Sequence, residues 1–366
     1  MKVPWSRPEL TQAETQAVDR VLESGWLGMG EVTEAAESAI GKYLGARNCV
    51  FFNNGTSALM AAYLAKDWGP GDEILVPTYT FAATVNSLVV MGCRPVLIDC
   101  DPGTMNLDPV EIGKVARKHP KAKGLVFVDV GGLPSDLDGI RDVARDHHLD
   151  LVEDAAEAFG GEYRNEKVGI RKHATIFSFH IAKQVTAVEG GAITTSDKAL
   201  AERCRRIRSH GEGNRKYIHS DIGLNLRPTD MQSAIALAQV GRADAFLQRH
   251  QDYARRYIDG LRNVVDFQAI PDYVTQPTWM IFQILTKNRR ERDRLDRHLN
   301  AAGIDTRMAF PPIHQQPYLK RRYKFGSYPN ADAVFDRVIS LPMGNGLREE
   351  EIDYVIDQTK SFFRTG

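Results

Sequence analysis

The chain is poor in cysteine. Cys49, Cys93, Cys100 and Cys204 are the four present, with no C-x-x-C spacing and no short Cys/His cluster. That argues against a structural zinc site and predicts reduced thiols in a cytoplasmic protein that binds no metal. Net charge is lacking too, since Lys+Arg and Asp+Glu stand at 47 each. Such a balance gives no support for a nucleic-acid or membrane surface, so any basic site has to be local. No apolar run is long enough to span a bilayer, and the opening MKVPWSRP lacks a signal-peptide apolar core. Short-period repeats, low-complexity tracts and long Pro/Ser linkers are missing as well.

What is present is an ordinary globular composition, 43% hydrophobic and 26% charged, in 366 residues. That length can bury a large core and suits one large and one small domain. Two helices are expected at about 9–23 and 31–44, broken apart by the Gly25–Gly30 stretch. Strand-like runs then follow at Asn48–Asn53, Glu73–Pro77, Pro95–Asp99, Gly124–Val130 and Asp150–Glu153. Helical stretches at about 56–67, 81–91, 108–118 and 136–148 separate them. Short buried strands alternating with helices predict a mostly parallel sheet covered on both faces. Thr175–His180 and Gly191–Thr195 follow with little between them, which predicts a hairpin or meander and hence a mixed sheet. A long helical pattern after Pro228 leads to a smaller α+β unit. That unit has a strand near Trp279–Leu285, a helix near Arg290–Ala302 and a last helix from Glu349. The expected division is 1–245 and 246–366.

Four features could carry chemistry. Lys183, in Ser178-Phe179-His180-Ile181-Ala182-Lys183, lies after a strand and before the pair Gly190-Gly191. A lysine placed so can form a Schiff base with an aldehyde cofactor if its surroundings favour the neutral amine. Asp154 ends a predicted parallel strand, where ligand clefts of open α/β sheets lie. A buried carboxylate there needs a cationic or hydrogen-bonding partner, and a pyridinium N–H is one. Asn54-Gly55-Thr56-Ser57 is a strand-to-helix turn whose backbone N–H groups suit a phosphate. Phe81 follows another strand and can stack on a flat heterocycle. Taken singly each has a bland alternative: a surface lysine, a helix cap, an ordinary turn, a core aromatic. Together they follow four strands of one sheet.

Their order resembles that of fold type I pyridoxal-phosphate (PLP) enzymes. The resemblance narrows to the DegT/DnrJ/EryC1/StrS family of sugar aminotransferases along nearly the whole chain. It rests on NNGTSAL at 53–59, PTYTFAATVN at 77–86, DCDPGTMNLD at 99–108 and EDAAEAFGG at 153–161. FSFHIAKQVTAVEGG at 177–191, IGLNLRPTDMQSAIALAQV at 222–240 and PPIHQQPY at 311–318 complete it. The EDAAEA form and the PIHQQPY segment look most like the GDP-perosamine synthase branch. The resemblance implies a mostly parallel mixed seven-stranded α/β sheet flanked by helices, with a smaller α+β C-terminal domain.

It also implies roles. Lys183 would hold PLP covalently and move protons in catalysis. Asp154 would meet the pyridinium nitrogen, and Phe81 the ring face. Gly55, Thr56, Ser57 and Ser178 would receive the phosphate, and Asn225 the phosphate of a neighbouring subunit's cofactor, in a homodimer with shared sites. Glu157 stands where many members carry Gln and would lie beside the cofactor's O3′. Leu226 replaces a common Tyr, and Val188 a more usual Gly. Trp26, Arg208, His210 and His314 are candidates for substrate contact. A branch of the family with His in place of the lysine performs dehydration, and Lys183 argues against it here.

The expected reaction moves the amino group of L-glutamate, by way of pyridoxamine phosphate, to a keto-sugar, in particular a nucleotide-linked 4-keto-6-deoxyhexose. A cyclitol ketone, a 3-keto-sugar or a non-catalytic PLP-binding regulator stay open as alternatives.

Overall fold

The computed structural model describes residues 1–365. Helices α1 (Gln12–Ser24) and α2 (Glu31–Leu44) come first. Thr11 and Glu14 form a reciprocal capping box that starts α1, and left-handed Gly25 ends it. An alternation follows: β1 (Asn48–Phe52), α3 (Gly55–Ala65), β2 (Glu73–Pro77), α4 (Ala82–Val90), β3 (Arg94–Ile98), α5 (Pro109–Lys118), β4 (Gly124–Val128), α6 (Leu137–Asp146) and β5 (Asp150–Asp154). After a short hairpin, β6 (Glu162–Tyr163) and β7 (Glu166–Lys167), come β8 (Ala174–Ser178), β9 (Gly191–Thr195) and α7 (Lys198–Arg208). The helical pattern after Pro228 is two helices, α8 (Asp230–Val240) and α9 (Ala243–Leu261). The remainder comprises β10 (Asp266–Phe267), β11 (Val274–Gln276), β12 (Phe282–Leu285), α10 (Arg289–Ala301), α11 (Pro317–Lys320), α12 (Pro329–Arg337), β13 (Val338–Leu341) and α13 (Glu349–Thr365).

The main sheet has seven strands in the order β1-β9-β8-β5-β4-β2-β3. Pairings from β3 through β8 are all parallel, while β9 is antiparallel to both β8 and β1. A single reversed strand therefore lies in an otherwise parallel sheet, which is the mixed arrangement the short spacing before Gly191 predicts. The central strands are buried along nearly their whole length, as helices on both faces require. No helix among the described residues is long and apolar enough to cross a membrane.

A second core gathers on the three-stranded sheet β10-β12-β13 with α9, α10 and α13. Helix α9 belongs to both cores. Ala243 and Phe246 pack with the main sheet, whereas Tyr253, Tyr257 and Leu261 pack with the smaller one. The start of the chain, expected with the large domain, joins the second core instead. Val3 is buried there and pairs with Ile304, and Arg7 makes a two-pronged ion pair with Glu351. The sequence gives that segment no periodicity, so its docking was not legible.

Candidate active site

Every parallel strand of an open sheet ends on the same edge, and here the edge opens into a cleft of about 760 Å³. Gly55, Thr56, Ser57, Phe81, Asp154, Glu157, Ser178 and Lys183 all line it. They follow β1, β2, β5 and β8. The reversed β9 begins on this edge, because Gly191 pairs with Phe52 on one side and Ser178 on the other. A Cβ on Gly191 would stand 2.4 Å from the Asn54 carbonyl oxygen and 2.7 Å from the Gly55 nitrogen. Glycine is thus what lets the Asn54–Ser57 turn approach Ser178 across β9.

At that turn Asn54 caps α3 by accepting the Ser57 N–H at 2.8 Å. The helix has no acceptor of its own for the N–H groups of Gly55 and Thr56. A Cβ on Gly55 would lie 3.3–3.4 Å from the Ser178 side chain, so the hydroxyl and the helix start form one small cup. Positive helix-end dipole and spare donors make this a place for an anion.

Asp154 lies deep in the cleft, 5% exposed. Its Oδ2 accepts the Thr84 hydroxyl at 2.7 Å, and Thr80 in turn lies 2.9 Å from Thr84. The Ala156 N–H reaches Oδ1 at 3.3 Å. No ion pair reaches Asp154 among the described residues, and burial raises its pKa above the ordinary aspartate value. A buried carboxylate without a cation is costly, and a cationic N–H brought by a ligand removes that cost.

Lys183 is held from both sides. Its N–H closes a turn onto the His180 carbonyl at 2.8 Å. The next residue, Gln184, donates to the Thr278 carbonyl, and its own carbonyl accepts the Asn345 side chain at 2.6 Å. The Lys183 Nζ lies 3.6 Å from Glu157 Oε1 and 3.8 Å from Met280 Sδ. Glu157 is itself fixed. Its Oε2 accepts the Gly131 N–H at 2.8 Å, and its carbonyl accepts the Thr278 hydroxyl at 2.6 Å. Gly131 takes φ 71°, a left-handed turn that presents its N–H to the carboxylate.

Phe81 is 58% exposed at the start of α4 and meets Phe310 edge-on at 5.5 Å. Phe310 belongs to the opposite wall, with Trp5, Met280, Arg307 and Met308. None of these five was singled out from sequence. They come from three distant segments, and no local pattern marks them.

The four substrate candidates are not brought to this cleft. Arg208 is buried and serves the edge strand β1. Its guanidinium donates to the Phe51 carbonyl at 2.7 Å and to Glu37 at 2.5 Å, while Glu37 accepts the Phe51 N–H at 2.9 Å. The pair satisfies backbone groups that an edge strand leaves open. His314 is buried too, between Thr78 at 2.8 Å and Asp332 at 2.9 Å, and fastens the 311–318 segment to the end of β2. Trp26 and His210 lie exposed at the surface outside the lining of the cleft. Asn225 is also exposed, bridged to Ser209 beside His210. Leu226, where a Tyr is common, is buried in the main core. Val188 takes φ 67°, a left-handed backbone that favours glycine over a β-branched residue.

The pattern of one protein family matches residues 8–360 of the chain. The chain belongs to the DegT/DnrJ/EryC1/StrS aminotransferase family. This family member is 35% identical to the erythromycin biosynthesis sensory transduction protein EryC1 of Saccharopolyspora erythraea, covering 96% of each chain. It is 32% identical to the GDP-perosamine synthase of Escherichia coli O157:H7, over 99% of this chain and 98% of that one. Among solved structures it resembles S. venezuelae DesV, solved in complex with a ketimine intermediate, with TM-score 0.92, 32% identity and coverage of 99% and 98%. DegT/DnrJ/EryC1/StrS aminotransferases are PLP-dependent sugar aminotransferases, and this chain is a PLP-dependent aminotransferase. The residues fit PLP: the uncompensated Asp154 suits a ring N–H, and the cup of Gly55, Thr56 and Ser178 suits a phosphate.

Proposed function

We propose that the chain moves the amino group of L-glutamate to a keto-sugar, a nucleotide-linked 4-keto-6-deoxyhexose, in amino-sugar biosynthesis. The observation that carries this reading is the placement of a buried Asp154, which no direct ion pair reaches, and Lys183 in one cleft. When bound, PLP supplies a carbonyl that takes up the amino group and a ring that accepts electrons from the reacting carbon. Asp154 holds the ring nitrogen and keeps it protonated. Phe81 would cover one face, and the free N–H groups of Gly55 and Thr56 with the Ser178 hydroxyl would anchor the phosphate, the Ser57 N–H being taken by Asn54. Lys183 would hold the cofactor in the resting enzyme and, once released, would carry protons between C4′ of the cofactor and the substrate carbon. Glu157 sits beside Lys183 and fixes where its Nζ can stand.

In this reading the enzyme is a homodimer with shared sites, Asn225 reaching the partner's phosphate cup. Large apolar side chains near it support that. In the stretch that leads to Asn225, Ile222 is 82% exposed, Tyr217 75% and Ile218 60%. Apolar side chains gathered in this way favour being covered by another chain.

The test is a half-reaction with L-glutamate alone. It bleaches the visible band of the lysine-bound cofactor and releases 2-oxoglutarate. A nucleotide-linked 4-keto-6-deoxyhexose then restores the band. A band that L-glutamate leaves unchanged overturns the donor. Restoration by cyclitol ketones or 3-keto-sugars alone overturns the acceptor.

A further inference from the structure

Lys183 and Arg307 are the two full cations lining the cleft, and Lys183 already faces Glu157 at 3.6 Å. Arg307 stands on the opposite wall. Its backbone is pinned to the small sheet, since its N–H donates to the Ser340 carbonyl at 3.2 Å and its carbonyl accepts the Ser340 N–H at 2.8 Å. Its side chain is steered rather than consumed. Nη1 alone is engaged, by Asp305 and by the Thr306 carbonyl at 2.9 Å, and the guanidinium lies 5.8 Å from the Trp5 ring. Nε and Nη2 make no hydrogen bond among the described residues, so the side-on fork that grips two oxygens of one anion is free.

The side chain is 54% exposed, and its neighbours at the mouth, Phe81 and Met308, are 58% and 46% exposed. Asp154 and Lys183 lie on the floor. The two substrates differ in where they carry negative charge. The α-carboxylate of an amino donor is bonded to the same carbon as the transferred nitrogen, so it has to lie on the floor beside Lys183. The diphosphate of a nucleotide-linked sugar is attached at C1, across the ring from C4. With C4 at the floor, the diphosphate points to the mouth.

We infer that Arg307 is a specificity-determining residue that grips this diphosphate and thereby favours nucleotide-linked sugars over free ones. The inference rests on the acceptor reading above. Its test is direct binding to the PLP-loaded enzyme, read by calorimetry with GDP, UDP, dTDP and the matching nucleosides. At least one nucleoside diphosphate binds the wild type, and its nucleoside binds at least tenfold more weakly. Arg307→Ala weakens the diphosphate at least tenfold, by a larger factor than it raises the KM for L-glutamate. Arg307→Lys, which keeps charge and loses the fork, falls between. Three results overturn the inference: no diphosphate binds the wild type, Arg307→Ala leaves binding unchanged, or the larger loss falls on L-glutamate. Failure of the donor reading shows separately, as a band that L-glutamate does not bleach.

Discussion

The two walls of the cleft are built differently. One wall is the edge of the main sheet, where each functional side chain follows a strand whose neighbours are buried on both faces. Its floor positions, Asp154, Glu157 and Lys183, are each tied by short hydrogen bonds or close charged contacts to residues that are themselves fixed. The other wall is made of Trp5, Met280 and the 307–310 segment, mostly apolar and partly exposed, with one arginine. On the proposed reading, the difference separates two tasks. Positioning a reactive cofactor requires rigid strand ends, while choosing a substrate is left to loops, where sequence can vary at little cost to the fold.

Substitutions on the sheet wall should cost the reaction itself. The largest loss is expected from Lys183→Ala, which abolishes turnover and the visible band of the bound cofactor. A variant that transaminates normally would break the comparison at its root.

Asp154→Asn comes next. It keeps the Thr84 contact but removes the charge that holds a protonated ring nitrogen, so kcat falls at least a hundredfold. The cofactor-free form responds in the opposite sense. Burial raises the Asp154 pKa in the fold, so the unfolded chain releases this proton more readily. The ionised group therefore lowers stability as pH rises above the unfolded value near 3.8. Cofactor-free Asp154→Asn should melt higher than wild type at pH 7, with the gap closing below pH 4. Equal melting at both pH values would contradict this.

Glu157→Gln should retain the cofactor band and lower kcat about tenfold, since an amide still accepts the Gly131 N–H but leaves Lys183 without its carboxylate. An unchanged kcat would place Glu157 among structural groups.

Away from the cleft, His250 is buried against the Trp279 carbonyl at 2.9 Å, and burial pushes its pKa down to about 4 from 6.5. The unfolded chain binds that proton first as pH falls. Stability should therefore drop between pH 6.5 and 4, by on the order of 3 kcal/mol if the whole difference is expressed. Denaturant titrations of wild type and His250→Gln measure it, the variant lacking this share of the pH dependence.

The smallest effect belongs to Val188→Gly. Relief of a left-handed β-branched residue should raise stability by about 1 kcal/mol, partly offset by glycine's freedom in the unfolded chain. A fall in stability would show that the valine side chain contributes packing beyond its backbone cost.

The asymmetry of the walls also governs what the sequence could reveal. The order of the parallel strands was legible because buried strands read as short apolar runs between helices. Asp154 and Lys183 were legible because strand ends carry compact motifs. Trp5 and Arg307 were not, since Trp5 docks through backbone pairing of Val3 with Ile304 and Arg307 through its bridge to Ser340. Arg208 misled for the converse reason. Its motif is conspicuous, but its guanidinium is spent on the backbone of β1. His314 likewise is spent on fastening the 311–318 segment, outside the lining of the cleft, to Thr78 and Asp332.

Gly191 carries one last implication. Its missing side chain leaves the space that the Asn54–Gly55 backbone occupies at the start of β9. A Cβ there would press on the Asn54 carbonyl and the Gly55 nitrogen, so any larger residue displaces the α3 turn from its place beside Ser178. Directed evolution of this enzyme can therefore explore the 307–310 wall one residue at a time. It will find almost no gradual path through Gly191, and libraries are better spent elsewhere.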